Sequence, residues 1–415
     1  MSDPSRRQLQ IIYRAALAAV NGRRCCQRFL DQHRPDTAVA LVAIGKAAGS
    51  MAQGAADVLG EQIRRGLVIT KAGHSEPLAG TASGFRSLLA GHPLPDARSL
   101  RAGAALLAFI DELPPGLPLL LLLSGGASAL VEVLPEGIGL AELRRLNEWL
   151  LGSGLDIGAM NALRRSLSCI KGGRLARRLG GRRSLCLMIS DVPGDEPGVI
   201  GSGLLAPAPP GGVDVAALPD WLRPLLSRAP PQPDAGDACF GAVELHLVAT
   251  LDDALAAAAE AGRAQGLAVR VAPTRLSGDA ADCGRALARQ LRDGPAGLHV
   301  WGGETTVCLP ERPGQGGRNQ HLALAAALEL RGERGCTLLC AGSDGSDGPG
   351  EYAGAIVDGQ TLARGERQGL DAVEALRRAD SGRFLRASGD LLRTGPTGSN
   401  VMDVVLGIKR LSPGV

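Results

Sequence analysis

The run TAVALVAIG (residues 37–45), followed at once by KAAGSMAQGAADVL, most constrains what this chain can fold into. An unbroken apolar run of this length, with no polar alternation, reads as a strand buried on both faces. The Ala-rich stretch behind it reads as a helix covering one of those faces. The pattern recurs. GLVIT (66–70), LPLLLLLS (117–124) and SLCLMIS (184–190) are further buried strands, and AELRRLNEWLLGSG and DIGAMNALRRSLSCI are consecutive helices. Strands alternating with helices predict an α/β protein built on a parallel sheet, with the leucine run near its centre.

From about residue 204 to 240 the composition changes to LLAPAPPGGVDVAALPDW and RAPPQPDAGDA, rich in Pro, Gly and Asp, which reads as a crossover or linker. A second α/β pattern follows: VELHLVAT, LDDALAAAAEAGRAQ, LAVRVAP, GDAADCGRALARQLRD and LHVWGGETTVCLP. The boundary is placed near residue 235, giving an N-terminal α/β domain over 1–235 and a C-terminal one over 236–415. No internal repeat or coiled-coil heptad is present.

Several classes are excluded. Net charge is only +3 and aromatic residues are 2% of the chain, so neither a basic footprint nor a stacking platform for nucleic acid is expected. The nine Cys form no metal-type pairs, which predicts reduced thiols and no zinc site. No apolar run approaches the roughly 20 residues that span a bilayer, and MSDPSRRQLQ has no apolar signal core. A soluble, cytoplasmic protein with no membrane partner is expected.

Of 45 basic residues only four are Lys: Lys46, Lys71, Lys171 and Lys409. In a chain that uses guanidinium by default, a retained Lys points to a compact ammonium, the usual point-charge phosphate binder. Lys46 follows a strand at a strand-to-helix turn (AIGKAAG), Lys71 lies in VITKAGH and Lys171 in SCIKGGRLA. Lys409 reads as incidental. Other polar groups also sit where strands end, the place where α/β proteins bind ligands. Ser124, Gly125 and Gly126 in LLLSGGASAL form either an anion nest or a purely steric turn. Asp191 in ISDVPGDEP suits a general base or a Mg²⁺ ligand, or caps a turn. Glu304 lies in GGETT, which reads as a hairpin. Arg318 and Asn319 in GGRNQ open a helix that can grip an anion. Asp344 and Asp347 in AGSDGSDGP, with Asn400 in TGPTGSN, lie on Gly-rich loops suited to metal, nucleotide or hydroxyl contacts, or are ordinary turns. GSGLLA nominally fits a dinucleotide fingerprint but runs into a Pro-rich loop, not a helix.

Taken together and in order, VAIGKAAGSM, GLVITKAGH, AGHPLPD, LLLSGGASAL, IKGGRLA, ISDVPGDEPGVIGSG, GGETTV, GGRNQ, AGSDGSDGP and TGPTGSNVMD resemble the type-2 glycerate kinases, which carry a C-terminal MOFRL domain. The resemblance spans essentially the whole chain. It implies two α/β domains, the N-terminal one with a Rossmann-like parallel sheet and the smaller C-terminal one with a mixed sheet, with the active site in the cleft between them. It also implies ATP- and Mg²⁺-dependent phosphorylation of D-glycerate to 2-phosphoglycerate, with ATP and D-glycerate as partners. The family's catalytic Lys and Arg match Lys46 and Arg318. Asp191 is the candidate base or Mg²⁺ partner, and Asp344 a further metal candidate. Lys71, Ser124, Gly125, Gly126, Lys171, Glu304, Asn319, Asp344, Asp347 and Asn400 are candidates for substrate or ATP contacts. An NAD(P)H-dependent hydroxypyruvate reductase and a non-catalytic carboxylate-binding protein stay open as alternatives, as does homodimer formation.

Overall fold

The computed structural model describes residues 3–74, 85–155, 157–211 and 218–410. Twelve strands form two six-stranded sheets. In chain order they are β1 (Val39–Ile44), β2 (Ile63–Lys71), β3 (Phe85–Ala90), β4 (Leu119–Leu123), β5 (Ser184–Ile189), β6 (Val243–Ala249), β7 (Val269–Val271), β8 (Gly297–Gly303), β9 (Cys336–Gly342), β10 (Gly354–Asp358), β11 (Leu391–Leu392) and β12 (Asp403–Lys409).

The first sheet runs β3-β2-β1-β4-β5-β6, with β3 to β5 all parallel. Every residue of β1 and β4 is buried, which is why both read as continuous apolar runs. Ala40, Val42, Ile44, Leu119, Leu121 and Leu123 share a core with Leu106, Phe109 and Ile110 of the helix Ala97–Asp111. The helix Ala48–Leu59 packs against β1 and β2. Strand order reverses between β1 and β4, so the carboxyl ends of these two strands flank the switch point where such sheets bind ligands.

The second sheet is mixed, in the order β11-β10-β9-β12-β8-β7. Strand β12 lies antiparallel to both β8 and β9, and β7 lies parallel to β8. The chain divides into two compact units, Gly22–Val248 around the first sheet and Met1–Asn21 with Ala249–Val415 around the second.

That division differs from the boundary expected near 235 in two ways. VELHLVAT, read as the first strand of a second domain, is β6, the edge strand beside β5; the N–H of Ser184, the first residue of β5, donates to the carbonyl of Ala242, just before β6 (2.9 Å). The Pro-rich stretch before it is not a free linker where it is described, because Leu204, Leu205, Leu218 and Leu222 are buried and Arg174 Nε donates to Pro230 O (2.6 Å). Residues 212–217 of that stretch lie outside the described residues. The N-terminal helix Pro4–Ala19 belongs to the second sheet's unit. Its Tyr13 is 1% exposed and donates its hydroxyl to Gly342 O at 2.7 Å, while Arg6 pairs with Asp358 and Asp390. Among the described residues no helix is long and apolar enough to cross a membrane.

Replacing Tyr13 with Phe keeps the ring and removes the bond to Gly342 O. We expect a loss of about 1 kcal/mol, read as a lower urea midpoint with unchanged slope; an unmoved midpoint would show that the hydroxyl bond adds nothing to the helix's hold.

Candidate active site

Strand β1 leaves the sheet at Gly45, whose φ of 134° suits glycine and whose missing side chain matters: a Cβ there would lie 2.1 Å from Ser124 Oγ. This close approach lets the turns after β1 and β4 brace each other. Lys46 N–H donates to Gly125 O (2.9 Å), and Ala47 N–H donates to Ser124 Oγ (3.1 Å). Ser124 is therefore an internal brace of the loop, fully buried. Gly126 (φ 84°) closes the turn, and a Cβ on it would meet the His92 ring at 3.0 Å and Lys46 Cγ at 3.3 Å. The Lys46 stem thus lies over the Gly126 turn beside His92. His74 Nδ1 lies 3.1 Å from the Lys46 carbonyl, which can only accept, so the ring donates there. Lys71 is the last residue of β2.

Next to this turn lie Ser128 and Lys171. Lys171 is 2% exposed; its Nζ pairs with Glu132 at 2.5 Å and donates to Ser128 O at 2.8 Å. The expected phosphate-binding Lys171 is thus committed to a buried ion pair. Ser128 Oγ and Ser202 Oγ are 2.8 Å apart, tying the helix after β4 to the loop after β5. Asp191, half-buried, follows β5 at the same edge of the sheet. Lys46, Lys71, the Ser124–Gly126 turn and Asp191 therefore share the carboxyl ends of β1, β2, β4 and β5.

In the other unit, Arg318 is the first residue of the helix Arg318–Glu329. Its guanidinium forks onto Asp403, Nε at 2.5 Å and Nη2 at 3.0 Å, and Nη1 reaches Glu304 at 2.7 Å. Burial opposes the charge, but Asp403 and Glu304 outweigh it and hold Arg318 protonated more firmly than usual. Three of its five N–H groups are used, leaving two to donate to a ligand. Asp347 caps the same helix from a distant loop. Its carboxylate accepts from Asn319 N–H (3.0 Å) and Gln320 N–H (2.8 Å), replacing the side-chain cap that Gly317 lacks. Burial raises its carboxyl to about 6, against the pull of those two amides. Asp347 is thus a cap instead of an open carboxylate. Asp344 Oδ1 accepts from Ser346 N–H (2.8 Å) and Oγ (2.9 Å), and Asn400 is buried near the start of β12. The hairpin expected at Gly302–Thr306 does not form: β8 ends at Gly303, Thr306 makes a single bridge to Asp279, and the chain runs on to the helix of Arg318.

Asp403, Glu132 and His92 were not singled out in the sequence. The signal for Asp403 was a charge opening an otherwise apolar strand, DVVLGIK, where it becomes 3% exposed. Glu132 and His92 carried no comparable mark. Among the described residues no group of three or more His, Cys, Asp or Glu is placed to hold a metal ion, and all nine Cys are free.

The parallel sheet, with Lys46, Lys71 and Asp191 following or ending its strands at their carboxyl ends, defines an α/β protein of the kind that binds ligands at the switch point. Residues 8–222 match the domain of unknown function DUF4147, and residues 297–403 match the MOFRL family. The chain is 37% identical to D-glycerate 2-kinase of Thermotoga maritima, covering 98% of this chain and all of that one, and 31% identical to glycerate 2-kinase of Pyrococcus horikoshii over 89% and 87%. A putative hydroxypyruvate reductase of Agrobacterium vitis is 36% identical over 97% and 94%. The crystal structure of glycerate kinase from Thermotoga maritima superposes with a TM-score of 0.83 at 35% identity, covering 98% of this chain and 100% of that one. The chain belongs to the MOFRL-containing glycerate 2-kinase family.

The cap at Asp347 has a pH signature. A carboxyl that titrates near 6 when folded and near its ordinary 3.8 when unfolded holds an extra proton in the folded state. Its contribution is present in full below the lower value and is lost as pH rises through the upper one. Relative to Asp347→Asn, the wild type should lose stability between about pH 4 and 6, measured as the difference in urea midpoints. Parallel curves for the two proteins would remove the raised carboxyl from the account.

Proposed function

We propose that this protein transfers the γ-phosphoryl group of ATP to the 2-hydroxyl of D-glycerate. The observation that carries the reading is Lys46 at the switch point of the first sheet, where a dinucleotide-binding protein would have its glycine fingerprint. Positions 45, 47 and 50, which would need Gly, Gly and Gly or Ala, are Gly45, Ala47 and Ser50. The GSGLLA string supports the same choice, since Gly201 and Ser202 sit in a single 3₁₀ turn with no nucleotide-binding helix behind it. Both points favour a kinase over a hydroxypyruvate reductase.

Phosphoryl transfer asks the protein to align the attacking hydroxyl with the γ-phosphorus and to neutralise charge on the equatorial oxygens. Lys46 supplies a compact cation on a braced turn, so little reorganisation is needed as charge shifts. Asp191 takes the proton of the 2-hydroxyl or contacts Mg²⁺. Mg²⁺ is typically held by one or two carboxylates and the substrate phosphates, and Asp191, half-buried directly after β5, offers one such carboxylate. When bound, the ion would neutralise phosphate charge. In the second unit Arg318, kept protonated by Asp403 and Glu304, is a fixed cation with two N–H groups left to donate to an anion.

Purified protein with D-glycerate, ATP and Mg²⁺ should release ADP. Lys46→Arg should cut kcat by roughly 10²- to 10³-fold with the fold intact, the range for losing one preorganised donor. Asp191→Asn should lower kcat by about 10²-fold or more with little change in the KM for glycerate. NADH oxidation with hydroxypyruvate and no ADP from glycerate would overturn the reading.

A further inference from the structure

Within the Gly22–Val248 unit a cavity of about 60 Å³ is walled by Pro93, Ser128, Glu132, Asn147, Arg164 and Lys171, among others. That volume holds a few water-sized groups. Its charges do not cancel. Glu132 is matched by Lys171 at 2.5 Å, and its other oxygen accepts from Val133 N–H at 3.0 Å. Arg164 has only neutral partners: Nε donates to Asn147 Oδ1 (3.0 Å) and Nη1 to Asn161 Oδ1 (3.1 Å), with no carboxylate in ion-pair range among the described residues. Asn147 is itself 7% exposed and anchored by its Nδ2 on Leu143 O (3.0 Å). The guanidinium is therefore oriented by fixed amides, partly desolvated, and left with three N–H groups and a full positive charge beside a cavity. Burial of a cation without a counter-charge is costly unless a ligand provides one.

The cavity also adjoins the Lys46 turn along the chain. Pro93 follows His92, whose ring touches Gly126, and Ser128 lies two residues beyond Gly126.

We propose that this cavity seats the carboxylate of a small hydroxy acid, with Arg164 as the anchor that selects acids over neutral polyols. The planar guanidinium matches a carboxylate in two-pronged fashion. This rests on the reading that the acceptor is D-glycerate, and it places recognition of its carboxylate on Arg164.

The test compares wild type, Arg164→Gln and Arg164→Lys by kinetics and by calorimetric titration with D-glycerate without nucleotide. For Arg164→Gln the KM for glycerate should rise about 10- to 100-fold, the range for a lost hydrogen bond to a charged group, with the KM for ATP unchanged. The preference for glycerate over glycerol in kcat/KM should collapse by a similar factor, and heat on titration should vanish. Arg164→Lys, which keeps the charge, should recover part of both. A KM within twofold of wild type, or equal rises in both KM values, would overturn the proposal, since a structural role moves both. If the wild type is no kinase yet binds glycerate through Arg164, the functional reading falls and the anchor stands. If the wild type is active and Arg164→Gln binds glycerate unchanged, the anchor falls and the reading stands.

Discussion

The site in the first unit depends on one contact, the mutual bracing of the turns after β1 and β4. Gly45 lies so close to Ser124 that any side chain would collide with it, and in return two backbone amides, those of Lys46 and Ala47, find partners on Gly125 and Ser124. Amides that would otherwise point at solvent or ligand are satisfied internally. What the turn presents outward is the Lys46 side chain, its stem laid over Gly126. A flexible lysine gains a defined position this way. Under the proposed reaction, such preorganisation is what Lys46 would contribute.

The second unit meets the same demand with carboxylates. A lone arginine at a helix start would swing freely. Here Asp403, nearly sealed at the start of β12, holds two sides of the Arg318 fork, and Glu304 holds a third. Asp347 secures the helix itself, so the position of Arg318 rests on three acids with two tasks. The acidic surroundings also reach Tyr13, whose hydroxyl is pushed above its ordinary range by burial and then by Asp344, Asp403 and Asp347. It stays protonated and able to donate to Gly342 O.

The buried strands were legible in the sequence because burial on both faces demands an unbroken apolar run, as in Val39–Ile44 and Leu119–Leu123. Edge strand β6 was misplaced because its alternating pattern follows a Pro-rich stretch, and only the hydrogen bond between Ser184 and Ala242 reveals its partner. The N-terminal helix was unassignable for a similar reason: Tyr13 and Arg6 meet residues more than 300 positions away. Lysine scarcity picked out Lys46 and Lys171 alike, yet only tertiary structure shows that Lys171 is neutralised by Glu132. Local sequence identifies a charged group. Whether that charge is spent internally depends on partners brought by the fold, which is also why Arg164 went unremarked among 41 arginines, the 45 basic residues less four lysines.

Phosphoryl transfer to the glycerate 2-hydroxyl at the braced turn can be followed by proton-coupled ³¹P NMR of a reaction containing the full chain, D-glycerate, ATP and Mg²⁺. ADP resonances should appear together with a new phosphomonoester signal split into a doublet by the single proton on carbon 2. A triplet from the carbon-3 methylene would contradict the assigned hydroxyl, and unchanged ATP resonances would contradict the reaction itself.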